Sequence, residues 1–145
     1  LLAALGPEPF DPACDAHYLW RATRRRRAAI KLALMDARLI VGVGNIYANE
    51  ALFRAGIRPT IPAGSISQRR FQRLIDEVRA TLTEAIAQGG STLRDYVDSN
   101  GAPGYFQLTY FVYGREGLPC RVCRNAIKSV RLGGRATFYC PQCQR

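Results

Sequence analysis

The sequence has 145 residues, 48% apolar and 22% charged, with a mean hydropathy of -0.13. That is the size and composition of one soluble domain, or of one domain with a small appendix. No stretch approaches the roughly 18 uncharged apolar residues of a membrane span, and the opening LLAAL has neither the length nor the basic flank of a secretory signal. Lys and Arg total 21 against 11 Asp and Glu, a formal charge of +10, which points to a polyanionic partner, nucleic acid before an anionic membrane surface.

Only Lys31 and Lys128 are lysines; the other basic residues are arginines, whose planar forks match phosphate oxygens two at a time. The chain begins at Leu1 and its single methionine is Met35, so it reads as a partial or processed chain. Residues 1–13 hold Pro7, Pro9 and Pro12 and no basic residue. They read as a linker arriving from an upstream domain, because proline fixes φ and restricts its predecessor. From Asp15 to Ala37 the pattern is helical. Tyr18, Leu19 and Ala22 form one apolar stripe, Ile30, Leu32, Leu34 and Met35 another, and Arg24 to Arg27 separate them.

Gly42 and Gly44 then precede Asn45, which is expected to cap a helix running to about Ala55, with Gly56 at its end and Pro59 as a stop. A helix start flanked by glycines also suits anion capture, since its free N–H groups and dipole face outward. Asn45 thus has two readings, a plain cap or a donor to phosphate, and Gly44 keeps side chains out of the way. Ser67 opens a long helix in which Phe71, Leu74, Ile75, Val78, Leu82, Ala85 and Ile86 share one face expected to be buried. Gly89-Gly90 is expected to end it, and residues 91–109 form a polar stretch with turn signals at Asn100-Gly101 and Pro103-Gly104.

The last third changes character. Cys120-x2-Cys123 and Cys140-x2-Cys143 lie 16 residues apart, and between them short β-type runs at 128–132 and 135–139 flank Gly133-Gly134, a hairpin signal. Two such knuckles bring four thiolates around one tetrahedral Zn²⁺. A redox motif lacks its βαβ context and two disulfides need an oxidising compartment, so a structural zinc ion is the expected cofactor. Residues 105–145 carry seven basic groups and one acidic group. Arg135, just past the glycine turn, is either a solvated surface residue or a phosphate contact. Cys14, the fifth cysteine, reads as a small buried or linker thiol.

The segment AIKLALMDARLIVGVGNIYANEALFRAGIRP resembles the helix–two-turn–helix of the bacterial formamidopyrimidine-DNA glycosylases. NGAPGYFQLTYFVYGREGLPCRVC and GGRATFYCPQCQ resemble their damaged-base loop and C-terminal zinc finger. The resemblance implies a mainly α fold: a helical DNA-binding domain over 14–109, with a base-capping loop at 99–107, followed by a four-cysteine zinc-finger hairpin over 110–145. It implies a cytoplasmic, nucleoid-associated, monomeric bacterial protein acting on double-stranded DNA that holds an oxidised purine (8-oxoguanine or formamidopyrimidine) or an abasic site. Such enzymes flip the damaged base from the duplex, cut its glycosidic bond and nick the abasic strand by β,δ-elimination. The family's nucleophile, an N-terminal proline amine, belongs to an upstream domain, so no catalytic residue is assigned in this chain. By correspondence, Asn45, Gly44, Lys31 and Arg135 contact the DNA backbone, Ala102, Pro103, Gly104 and Tyr105 cap the everted base, and Cys120, Cys123, Cys140 and Cys143 hold zinc. The alternatives are a stand-alone zinc-dependent duplex-binding module, an endonuclease VIII relative, or a basic zinc-ribbon protein of a ribonucleoprotein.

Overall fold

The structure, a computed structural model, describes residues 5–88 and 110–145. The expected stop at Gly89-Gly90 and the expected loop at 99–107, with Ala102, Pro103, Gly104 and Tyr105, lie outside the described residues. Within them the chain forms α1 (Ala16–Thr23), α2 (Ile30–Leu34), α3 (Asn45–Ala55), α4 (Gln68–Ala87), β1 (Lys128–Leu132) and β2 (Arg135–Tyr139). No helix among the described residues is long and apolar enough to cross a membrane.

The helical pattern read over 15–37 is two helices, not one. Asp15 caps α1 by accepting from the Tyr18 N–H at 2.8 Å. The helix stops at Thr23, whose hydroxyl turns back to the Leu19 carbonyl at 2.7 Å. The arginine run then does structural work. The Arg24 guanidinium lies 4.8 Å from the Trp20 ring centroid and donates to the carbonyls of Gly64 (2.7 Å) and Ile66 (2.6 Å), and Arg26 pairs with Asp36 at 3.1 Å. Only Arg25 and Arg27 of the run are exposed.

Helix α4, about 30 Å long at 1.5 Å per residue, is the spine of the helical body. Ser67 caps it by accepting from the Arg70 N–H. Its Phe71, Leu74, Ile75 and Val78 are buried against α1 and α3 in a core shared with Leu19, Ile30, Leu34, Leu52 and Ile57. The expected apolar face holds as far as Ala85; Ile86 is 66% exposed, because a 20-residue helix outruns its partners of 8 and 11 residues. Residues 6–14 lie along this body: Gly6 N–H and Val41 N–H tie 6–7 to 37–41, and Arg79 on α4 donates to the carbonyls of Pro9 and Cys14 at 2.8 Å each. Cys14 is fully buried.

Helix α3 corrects one expectation. Its N-cap is Gly44, with extended backbone and no side-chain cap, and Asn45 is the first helical residue. The C-terminal reading holds: Gly56 adopts the left-handed conformation (φ 74°), which costs glycine nothing.

Strands β1 and β2 pair antiparallel from Lys128↔Tyr139 to Leu132↔Arg135, leaving Gly133-Gly134 as a two-residue turn with both φ values positive (56° and 77°). This is the expected hairpin, in a turn whose twist matches that of the strands. A second, smaller core of Phe53, Val112, Cys120, Ile127 and Cys140 joins the finger to α3.

Candidate functional site

The four knuckle cysteines converge. Their sulfurs all lie within 4.8 Å of one another, with Cys120 and Cys143 3.8 Å apart and Cys123 and Cys140 3.4 Å apart. A tetrahedral Zn²⁺ with 2.3 Å bonds places its sulfurs about 3.8 Å apart, so the donor set fits one closed, structural zinc ion. Backbone N–H groups already point at the sulfurs, from Val122 to Cys120 and from Cys143 to Cys140. The Cys123 thiol is held down to about 7, chiefly by a backbone hydrogen bond from Asn125, while burial pushes Cys140 and Cys143 up.

The finger is clamped to the helical body by buried polar side chains that the sequence reading did not single out. Asn49, one turn after Asn45 on α3, accepts the Phe138 N–H at 2.7 Å and donates to the Asn45 carbonyl at 2.8 Å. Gln144 accepts the Cys140 N–H at 2.8 Å and donates to the Ile57 carbonyl at 2.9 Å. Arg58 donates to the Pro141 carbonyl at 2.6 Å. The Glu50 carboxylate, 5% exposed, accepts three consecutive backbone N–H groups, Phe111, Val112 and Tyr113, at 2.7–2.9 Å. Burial raises its pKa and these three donors pull the other way. The only sequence signal for this clamp is a run of polar residues on α3 at helical spacing.

Glu50→Ala strands three N–H groups, at about 1–3 kcal/mol for each one left without a partner. A fall in thermal stability of roughly 3 kcal/mol or more is therefore expected in calorimetry of the zinc-loaded chain. A change within 0.5 kcal/mol, the usual surface range, rules the clamp out.

These clamps bring the two sequence-selected backbone contacts together. The Asn45 side-chain amide donates to the Ala136 carbonyl at 3.1 Å, so the start of α3 abuts the residue next to Arg135. The hairpin tip also leans on α2, since a Cβ on Gly133 meets Leu32 Cδ2 at 2.9 Å. Arg131 closes its own turn on the Gly134 carbonyl at 2.9 Å, whereas the Arg135 guanidinium is exposed with no hydrogen bond or ion pair among the described residues. A Cβ on Gly44 meets nothing within 4 Å, so the first turn of α3 opens outward with its N–H groups uncapped.

Lys31 is placed differently from a surface contact: its side chain is fully buried and its Nζ has no hydrogen-bond partner among the described residues. Burial, with the nearby positive charge of Arg135 adding to it, lowers its pKa to about 8. The Asn45 Oδ1 is also buried without a partner among the described residues. A buried ammonium that feels a second cation, itself next to a residue held at an open helix N-terminus, is an arrangement that an anion relieves.

The comparisons with known proteins bear on both parts. Residues 5–97 match the family described as the formamidopyrimidine-DNA glycosylase H2TH domain, and residues 117–145 match the zinc finger found in FPG and IleRS. The chain is 59% identical over its whole length to a formamidopyrimidine-DNA glycosylase of Paraburkholderia phytofirmans and 57% identical to one of Methylococcus capsulatus, covering 52% and 54% of those proteins. Among solved structures it is similar to the MutM (Fpg) protein of Thermus thermophilus, with a TM-score of 0.85 and 44% identity over 99% of this chain and 55% of that one. A Lactococcus lactis Fpg in complex with DNA containing an abasic site gives a TM-score of 0.85 and 32% identity over 98% and 52%. The chain spans about half the length of the curated relatives it matches. On the match of the H2TH domain over most of its length, joined to that of the zinc finger, the chain belongs to the formamidopyrimidine-DNA glycosylase family.

Proposed function

We propose that this chain is the DNA-binding half of a base-excision repair enzyme that removes oxidised purines from duplex DNA and then nicks the abasic strand. In this reading α2, the glycine turn and α3 are the helix–two-turn–helix, the zinc-clamped hairpin is the second arm, and an upstream domain supplies the catalytic amine. The observation that carries it is the hydrogen bond from Asn45 to the Ala136 carbonyl, which sets the open N-terminus of α3 against the strand that carries the exposed Arg135, whose charge reaches the buried Lys31 ammonium. Three positive elements from separate segments then face one stretch of sugar-phosphate chain. Phosphate oxygens accept from the first turn of α3 and from the Arg135 fork, while the zinc ion holds the hairpin in register and takes no part in the chemistry.

The test is a binding titration on short duplexes with and without an abasic analogue, over a range of salt. Each phosphate contact contributes about -0.9 to the slope of log K against log salt. Arg135→Ala is expected to weaken binding to all duplexes alike and to flatten that slope by roughly one contact, since phosphate contacts position without reading sequence. A selective loss at one base sequence, or a slope near zero for the parent chain, contradicts the assignment. Tighter binding to structured RNA than to duplex DNA favours the ribonucleoprotein reading instead.

A further inference from the structure

The far end of α3 carries a second basic site. α3 runs about 15 Å from Asn45 to Ala55, and its C-terminal residues open on a cavity of about 720 Å³ bounded by the first half of α4 and by the second cysteine knuckle. This size falls within the roughly 300–1,000 Å³ of ligand pockets. Five arginines line it (Arg54, Arg69, Arg70, Arg73 and Arg145) against one carboxylate, Glu77.

Two of the five are committed to the fold. Arg54 is spent on Glu77 at 3.1 Å and on Glu84 at 2.7 Å. Arg70 bridges the carbonyls of Gly56 and Arg145. Arg69 and Arg73, four residues apart and so neighbours on one face of α4, are exposed and make no ion pair with any described carboxylate; Arg73 reaches only the Arg54 carbonyl, at 3.5 Å. The opposite wall is apolar. Phe111 stacks on Phe53 with centroids 4.9 Å apart, and Val122 is 64% exposed beside them.

We propose that this cavity binds a short acidic peptide segment of a partner protein, its carboxylates on Arg69 and Arg73 and an apolar side chain against Val122 and Phe111. Charge complementarity selects the occupant. A second copy of a chain of net charge +10 is repelled. A DNA phosphate has nothing to lay on the apolar wall. A peptide satisfies both features: carboxylates for the guanidiniums and an apolar group for the wall. The proposal does not depend on the nucleic-acid reading, because the cavity shares no residue with the site at the other end of α3.

The probe is a fluorescein-labelled peptide, Asp-Glu-Asp-Leu-Phe, titrated with the zinc-loaded chain and followed by anisotropy at 0.15 M salt. Saturable binding is expected. It should weaken about tenfold or more with Arg69→Gln and Arg73→Gln combined, and comparably with Val122→Glu, which leaves every arginine in place. All three positions are exposed or half-buried, so the variants keep the fold. Duplex affinity of the Arg69→Gln, Arg73→Gln variant should hold within about twofold, since the sites lie further apart than the roughly 8 Å screening length at this salt. A saturating short duplex should not displace the peptide. The proposal is overturned if the peptide does not bind, if the variants bind it as the parent does, if an Asn-Gln-Asn-Leu-Phe peptide binds equally well, or if the duplex displaces it.

Discussion

Removing the metal, by chelation or by Cys140→Ser, is expected to abolish duplex binding while leaving the helical body folded. The finger has almost no core of its own. Its buried cluster is Phe53, Val112, Cys120, Ile127 and Cys140; two of these are metal ligands and Phe53 belongs to α3. Segments shorter than about 40 residues rarely fold on such a cluster without a metal or disulfides. Zinc supplies on the order of 10 kcal/mol in isolated fingers, more than the remaining side chains can replace. The helical core contains no metal ligand, so helix signal in far-ultraviolet circular dichroism should persist. Arg135 is then no longer held beside α3, because Ala136 and Phe138 dock on Asn45 and Asn49 only in the paired hairpin. A loss of roughly a hundredfold or more in duplex affinity is expected from the phosphate contacts given up, restored by added Zn²⁺ in the chelated parent but not in Cys140→Ser. The metal must displace protons from Cys140 and Cys143, whose pKa values burial raises, so the metal should leave at acid pH before the helices melt. Retention of duplex affinity within a few-fold in metal-free protein, verified by elemental analysis, refutes this account.

The parts legible in the sequence were those with a local physical signature. Gly133-Gly134 between two β-type runs dictates a two-residue turn and with it the strand register, and the Cys spacing dictates the cluster. Ser67 and the apolar face of α4 dictate a helix whatever surrounds it. What the sequence hides depends on residues far along the chain. Asn45 and Gly44 both suit a helix start, and only the Ala136 carbonyl, 91 positions away, shows that the asparagine side chain is spent on the finger. Four consecutive arginines read as one charged run, yet Arg24 is committed to carbonyls 40 and 42 positions on. Lys31 announces a charge but not its burial, which comes from the packing of α2 under the hairpin. Asn49 and Glu50 offer at most polar residues at helical spacing on α3, and Gln144 no local signal, because their partners are backbone groups that any sequence has.

Raising the pH through 8 is expected to weaken duplex binding by up to tenfold per unit, and Lys31→Met to remove both the pH dependence and a large part of the affinity. The free-chain pKa of Lys31 is about 8, lowered from 10.5 by burial and then by Arg135. A phosphate held over it by Arg135 and the α3 N-terminus favours the charged amine from close range without touching Nζ, because the intervening medium screens weakly. The bound-state value is therefore higher. Below pH 8 the amine is charged in both states and affinity is level. Above it, binding must take up a proton, and affinity falls until the bound-state pKa is reached.

Stability of the free chain moves the other way. The unfolded lysine titrates near 10.5 and the folded one near 8, so the unfolded state binds more protons in that window and stability rises with pH across it. The two opposite slopes in one interval are the signature of this residue, read between pH 8 and 9; above 9 the Cys14 thiol, raised by burial from 9.0 to about 11, pulls stability the other way. Lys31→Met should flatten both and stabilise the free chain at neutral pH, where the buried ammonium is a burden. Duplex titrations and thermal midpoints of parent and variant between pH 7 and 10 decide it. A variant that keeps the parent's slopes, or binds duplex as tightly, removes Lys31 from the phosphate site.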